Sequence, residues 1–144
     1  MSRHEKGAGA LRLWSILAGL SGASAVAIAA WASHGLAQSV SPEPLPRALE
    51  QARSEGLQQL VHTLALLGVA LAGQIRSSPW LHLAGVLFLA AIVGFSFGIY
   101  ALHLWWPALA QGSARYVVPA GGVSFILGWL ALASAGLFPA SGRP

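Results

Sequence analysis

Four stretches of the chain consist almost entirely of apolar and small residues, and short polar segments separate them. The stretches are residues 13–36, about 57–74, 80–106 and 116–138. Each is long enough for a helix that crosses a bilayer, which needs roughly 20 residues, and backbone groups in lipid must be paired within the segment. The pattern therefore predicts an all-α, integral membrane protein with four transmembrane helices in a single four-helix bundle.

The segment between the first two stretches has a different pattern. Leu45, Ala48, Leu49, Ala52 and Gly56 recur at the spacing of one helix face. The charged residues on its other faces are Arg47, Glu50, Arg53 and Glu55. We expect a short amphipathic helix over residues 45–56 at the outer membrane interface, which then turns or runs into the second span.

The composition agrees with a membrane protein. Hydrophobic residues make up 56% of the 144 positions and charged residues 8%, with a mean hydropathy of +0.65, whereas soluble domains carry about 25% charged residues. The net charge of +4 comes from scattered Lys and Arg, so we expect the lipid bilayer, and no nucleic acid, as a partner. The absence of cysteine excludes disulfides and Cys-based metal sites.

The basic residues also predict an orientation. Those on the side of both termini and the second loop are Arg3, Lys6, Arg12, Arg76 and Arg143. Those on the opposite side are Arg47, Arg53 and Arg115. The positive-inside rule therefore places both termini in the cytoplasm. The first apolar run exceeds the usual signal-peptide core of up to about 15 residues, so we expect it to be retained as a span.

Small residues and tryptophans predict how the helices pack. The small-residue stripes are Gly19, Ala23, Ala27 and Ala30 in the first span, Ala90, Gly94 and Gly98 in the third, and Ser124 and Gly128 in the fourth. We expect them to pack against helices of the same chain, with a homo-oligomer as the alternative. The tryptophans near span ends, expected to be interfacial anchors, are Trp14, Trp31, Trp80, Trp105 and Trp106.

Polar residues within the spans are the candidate functional residues, because such groups are costly in lipid. The predicted topology places them in the outer half of the bundle as one cluster: His34, Gln59, His62, Ser96, Tyr100 and His103. Three interpretations stay open. The side chains bond to one another as interhelical contacts; His34 and His62 hold haem or a metal ion; or the cluster forms a pocket for a small ligand, quinone or lipid head group, or a proton relay.

Catalytic chemistry has little support. Asp is absent, every Glu lies in the tail or the outer loop, and no GxSxG, P-loop or HExxH motif occurs. No CxxCH haem-attachment motif is present either. We therefore expect no enzymatic activity and predict no cofactor. Haem or a metal ion held by His34 and His62 is the alternative.

Several segments resemble a known family. Residues 32–36 (ASHGL) resemble its AHGL signature, and residues 59–67 (QLVHTLALL) resemble its YQ-x-x-HALALL stretch. Residues 95–100 (FSFGIY) resemble FSGSLY, and residues 119–129 resemble PIGG-x-x-FI-x-GW. The chain is similar in this respect to the family called domain of unknown function 423, which includes the eukaryotic transmembrane protein 256.

The resemblance implies a four-helix protein of the bacterial inner membrane without an established activity. Its motif residues, expected to serve helix packing, are Gly35, Pro119, Gly121, Gly122, Gly128 and Trp129. Gln58 stands where the family usually has tyrosine, and Phe97-Gly98 replaces Gly-Ser. We expect a non-enzymatic scaffold or accessory subunit of a larger membrane complex, for example a respiratory one. A ligand-binding protein is the alternative, and a small transporter the third.

Overall fold

The computed structural model describes residues 3–75, 78–106, 108 and 112–138, and helices account for most of them. The elements are α1 (Arg3–His34), α2 (Leu36–Ser39), α3 (Leu45–Ile75), α4 (Pro79–Ala91) with two π-helical continuations (Ile92–Phe97 and Tyr100–Trp105), and α5 (Val117–Leu137) after a 3₁₀ turn (Ser113–Tyr116). In this described part of the chain, four helical segments are long and apolar enough to cross a membrane: Arg12–His34, Leu45–Ile75, Pro79–Leu102 and Ser113–Leu137. The all-α, four-span prediction is confirmed.

The predicted interfacial helix and the second span form one uninterrupted helix, α3. Its first turn follows Pro44, whose carbonyl accepts a hydrogen bond from the Ala48 N–H at 3.0 Å. Pro46 lies in that first turn, where an N–H would have no helical partner, so it does not interrupt the helix. Of the two expected arrangements the chain adopts the second, in which the polar first turns of α3 run directly into the apolar ones.

The helices pack in sequence, α1 on α3, α3 on α4 and α4 on α5. At one end α1 also reaches α4, where the Trp14 ring lies against Gly85 and its Nε1 donates to Nδ1 of His82 at 3.4 Å. A Cβ on Gly85 would lie 2.8 Å from the ring, so glycine is needed for this contact. Trp14 is 7% exposed, and its prediction as an interfacial anchor is wrong because Gly85 leaves space for the ring inside the bundle.

Small residues bring α5 against the third span, which confirms the prediction for Gly94, Gly98 and Gly128. The prediction is wrong for Ala90, which is exposed. A Cβ on Gly121 would lie 2.8 Å from the carbonyl carbon of Gly94, and one on Gly128 would lie 2.8 Å from the ring of Phe88. Gly98 packs beside Val118. Close backbone contact of this kind replaces the hydrophobic effect as the source of helix association in lipid.

The small-residue stripe of α1 behaves differently. Gly19, Ala23, Ala27 and Ala30 are all exposed. Among the described side chains of α1, the buried ones are Trp14, Ala18, Ser21, Ala25, Ile28 and Ala32. The prediction that this stripe packs inside the bundle is therefore wrong. The polar contacts of Ser21 and the ring of Trp14 determine which face of α1 turns inward, and the stripe lies on the opposite side.

The third span is widened over its last turns. The Trp106 N–H donates to the Ala101 carbonyl at 2.7 Å, an i→i+5 bond typical of a π-helix. The two π-helical segments carry Ser96 and Tyr100, which are fully buried. Such turns occur often at functional sites, which makes the region around these two side chains the candidate site.

Candidate functional site

Gln59 lies at the centre of a polar network and is completely buried. Its amide nitrogen donates to the Ser21 carbonyl at 3.1 Å and to the Ser24 hydroxyl at 2.8 Å. Its amide oxygen accepts a hydrogen bond from the Tyr100 hydroxyl at 3.3 Å. One side chain of α3 therefore connects α1 with the π-helical part of the third span.

Two hydroxyl groups extend the network along the contact between α1 and α3. The hydroxyls of Ser21 and Thr63 lie 2.6 Å apart, and the Ser24 hydroxyl donates to the Ser21 carbonyl at 2.8 Å. Ser21, Ser24 and Thr63 are not among the site residues predicted from the sequence. The available signal was the spacing: Ser21 and Ser24 are three apart and Gln59 and Thr63 four apart, so each pair shares one helix face.

His62 forms a separate group with α5. Its Nδ1 lies 2.8 Å from the Gln58 carbonyl, and Trp129 donates from Nε1 to His62 Nε2 at 3.2 Å. Because Nε2 accepts and a carbonyl faces Nδ1, the ring is neutral with its proton on Nδ1. The ring also stacks on Phe125, with centroids 3.5 Å apart. Both nitrogens are occupied, so a metal ion would have to displace the indole.

Glu55 is buried, with 7% of its surface exposed, and its Oε2 has no hydrogen-bond partner. It lies one turn before Gln59 and near enough to Tyr100 to interact with it electrostatically. The expectation that Glu55 occupies a polar face of an interfacial helix is wrong. Since α3 is continuous, the face that buries Gln59 also buries Glu55. The hydroxyl of Ser96 is likewise fully buried without a partner.

His34, another member of the predicted cluster, does not join this polar network. His34 is exposed, and its carbonyl accepts a 3.4 Å bond from Gln38 Nε2. Ser24 lies at the level of Gln59, so His34, ten residues further along α1, is displaced by about 15 Å along the helix. The side chain of His103 lies outside the described residues. The expected pairing of His34 with His62 is wrong because His62 lies in the opposite direction along α3.

Among the side chains that the structure describes, no group of three His, Asp or Glu is arranged to hold a metal ion. The family-motif residues have packing contacts instead. A Cβ on Gly122 would lie 3.5 Å from the Phe95 ring, and one on Gly35 would lie 3.0 Å from the Trp31 ring. Pro119 is exposed in the first turn of α5, where a missing N–H has no cost.

Comparison with known proteins shows which family this chain belongs to. The profile of a family described as "Protein of unknown function (DUF423)" matches residues 28–122. The chain belongs to the DUF423 family. Its relatives include the UPF0382 inner membrane protein YgdD of Escherichia coli (strain K12), 37% identical over 120 residues, which are 82% of this chain and 84% of YgdD.

Two further DUF423 relatives come from other bacteria. A UPF0382 membrane protein of Haemophilus influenzae is 34% identical over 118 residues, covering 81% of this chain and 87% of the relative. The UPF0382 membrane protein SAB0533 of Staphylococcus aureus is 34% identical over 122 residues, covering 85% and 93%. No solved structure matches the chain.

The DUF423 match and the four apolar helices together make this a small polytopic membrane protein. The matched range contains Glu55, Gln59, His62 and Tyr100, whereas their partners Ser21 and Trp129 lie outside it.

Proposed function

We propose that this DUF423 protein is a non-enzymatic subunit that packs through α1 against a helix of a larger complex in the bacterial inner membrane. The observation that carries the proposal is the outward position of Gly19, Ala23, Ala27 and Ala30. Small residues let two backbones approach closely in lipid. A Cβ added to Gly19 would have no atom of the described chain within 4 Å, so this stripe is open to another helix.

The interior supports a structural rather than a catalytic role. The Gln59 amide forms hydrogen bonds between helices, and both ring nitrogens of His62 take part in hydrogen bonds. Ser21 lies with its hydroxyl against that of Thr63 and not against a histidine. A hydrolase would need a nucleophile bonded to a base, whereas these groups stabilise the bundle.

Site-specific cross-linking tests the proposed contact. The chain has no cysteine, so Ala27→Cys introduces a single thiol to which a photoreactive maleimide can be attached in native membranes. The matched control is Ile126→Cys on α5, which is 62% exposed. We expect an adduct with a different, larger protein at position 27 and none at position 126. No adduct at position 27, or an adduct between two copies of this chain, would contradict the proposal.

Copurification gives a second, independent readout. Ala27→Leu adds a bulky side chain to the stripe without touching the bundle interior, since Ala27 is exposed. We expect the variant to fold and to lose the proteins that copurify with the natural chain in mild detergent. A natural chain that is recovered only as a monomer, while other membrane complexes stay intact, would speak against a subunit role.

The proposed orientation has both termini in the cytoplasm. Of the described basic residues, Arg3, Lys6 and Arg12 lie in α1 on the side of the termini, and Arg47, Arg53 and Arg115 lie on the other. Arg76 and Arg143, which complete the excess on the cytoplasmic side, are outside the described residues. Fusion of a reporter that is active only in the cytoplasm to residue 144 tests the orientation, and an inactive fusion with a periplasm-specific reporter is the expected counterpart.

A second candidate function is the binding of a small cation beside Glu55. It is favoured by the buried carboxylate oxygen without a hydrogen-bond partner, close to Tyr100. A buried charge requires a counter-charge or neutralisation. We expect NaCl to raise the thermal stability of the purified protein above that in choline chloride, and Glu55→Gln to remove the difference. Glu50→Gln, at an exposed position of the same helix, is the control and should retain it.

A further inference from the structure

A groove of about 240 Å³ lies between the end of α1 and the first half of α3. Its walls are mostly apolar and small, including Ala32, Ala52 and Gly56, and Arg53 lies at its edge. It does not include the α1 stripe of Gly19, Ala23, Ala27 and Ala30. The groove is therefore a feature separate from the proposed helix-packing surface.

The groove changes from polar to apolar along its length. On α3, Leu57 and Leu60 follow Arg53 by about 6 and 10 Å along the helix. The α1 helix packs antiparallel to this part of α3. On α1 the groove therefore runs from Ser33, at its polar end, to Ala29, one turn closer to its apolar end. The charged end thus lies beside the polar first turns of α3, and the apolar end points toward the middle of the bilayer. A molecule with a charged head and a hydrocarbon tail fits this gradient.

Arg53 supplies the charge that selects the head group. Its side chain is exposed, and it forms no ion pair with any residue that the structure describes, although Glu50 lies three positions earlier. The guanidinium group matches phosphate oxygens in pairs. Basic residues near the membrane surface also favour anionic over zwitterionic lipids.

We propose that this groove binds one anionic phospholipid, with the phosphate on Arg53 and an acyl chain along Leu57 and Leu60. Gly56 offers a direct test of the apolar part. It lines the groove, and an added Cβ would meet no atom within 4 Å. Gly56→Leu should therefore fill the groove without a clash at the backbone, while leaving the charge in place.

The experiment uses the purified full-length chain in detergent and counts retained lipid by native mass spectrometry. The probes are phosphatidylglycerol, phosphatidylcholine with the same acyl chains, and glycerol 3-phosphate. We expect one phosphatidylglycerol per chain, weaker retention of phosphatidylcholine, and no effect of glycerol 3-phosphate. Arg53→Gln should weaken phosphatidylglycerol binding by about fivefold or more, and Gly56→Leu should abolish it. The control Arg47→Gln, outside the groove on the same helix, should retain it.

Each contrary result would overturn the proposal. Equal retention of both lipids would show that no head group is selected. Unchanged binding in Arg53→Gln would remove the assigned phosphate contact, and unchanged binding in Gly56→Leu would place the lipid elsewhere. Competition by glycerol 3-phosphate would indicate a site for a soluble phosphate. Arg53 is exposed, so its replacement should not impair folding, and circular dichroism checks this for both variants.

Discussion

Trp129 on α5 donates a hydrogen bond from its indole Nε1 to Nε2 of His62 on α3, across 3.2 Å. The two rings lie edge to face, and Phe88 completes the group from the third span. The contact fixes the orientation of the imidazole and joins three helices at one point. It also explains why a tryptophan on a largely lipid-facing helix turns its nitrogen inward.

Trp129→Phe should destabilise the bundle modestly. The substitution keeps an aromatic ring and removes the donor, and interhelical hydrogen bonds in membranes contribute about 0.6 kcal/mol on average and about 1.7 at most. We expect a loss of about 1 kcal/mol in the free energy of unfolding, measured in mixed micelles with sodium dodecyl sulfate. Trp80→Phe, at a partly exposed position near Phe138, is the matched control. An equal loss in both variants would contradict the role of the hydrogen bond.

Two adjacent glutamines allow a controlled comparison. Gln59→Leu should cost about 1–2 kcal/mol, because it removes the hydrogen bond from the Tyr100 hydroxyl to the Gln59 amide oxygen and one of the donors to the Ser21 carbonyl. Gln58→Leu should have little effect, because its side chain is exposed and its backbone carbonyl still faces His62. The same unfolding assay measures both. If Gln59→Leu leaves the free energy of unfolding unchanged, the network does not stabilise the bundle.

The contact between α5 and the first π-helical segment of the third span should be the least tolerant of added volume. Gly121→Ala places a Cβ against the backbone of Gly94 and Phe95, which cannot move aside as a side chain can. We expect a loss of about 2–3 kcal/mol, the upper part of the range for overpacking. Gly19→Ala, on the open face of α1, should change stability by less than about 0.5 kcal/mol. If both variants unfold at the same detergent fraction, the close approach is not needed for stability.

The histidines should differ sharply in their importance. His34→Ala alters an exposed side chain and should leave unfolding unchanged. His62→Ala should destabilise the protein, because it removes the ring stacked on Phe125 and the acceptor for Trp129. We also expect neither added haem nor Zn²⁺ to produce an optical or elemental signal that depends on His62. A stoichiometric Soret band that His62→Ala abolishes would make this a haem protein.

Hydrophobic pattern predicted the number and approximate positions of the helices, because the bilayer dictates both length and composition of a span. It was harder to predict which face of each helix points into the bundle. In lipid a helix is apolar on all sides, so composition does not mark the inward face. For α1 that face depends on Ser21 and Trp14, whose partners Thr63 and Gly85 lie on other helices.

The candidate site could be predicted only in part, because the sequence does not show which face of each helix points inward. Gln59 and Tyr100 come together as expected, since the spans are antiparallel and both residues lie in the same half. Glu55 was misplaced because its charge suggested a watery interface. Only the continuity of α3 shows that Glu55 repeats the position of Gln59 one turn earlier.

The π-helical segments of the third span have a consequence for changes in chain length. An i→i+5 turn contains one residue more than an α-helical turn, so deleting one residue between Ile92 and Phe97 would allow ordinary α-helical bonding. The wider turn already accommodates that extra residue, so the helix after the deletion would keep its rotation about the axis and Tyr100 would still face Gln59. The same deletion in the regular α-helix Pro79–Ala91 would rotate everything after it by about 100° and turn Tyr100 away. The third span should thus tolerate the loss of one residue, such as the exposed Val93, within its first π-helical segment, but not within Pro79–Ala91.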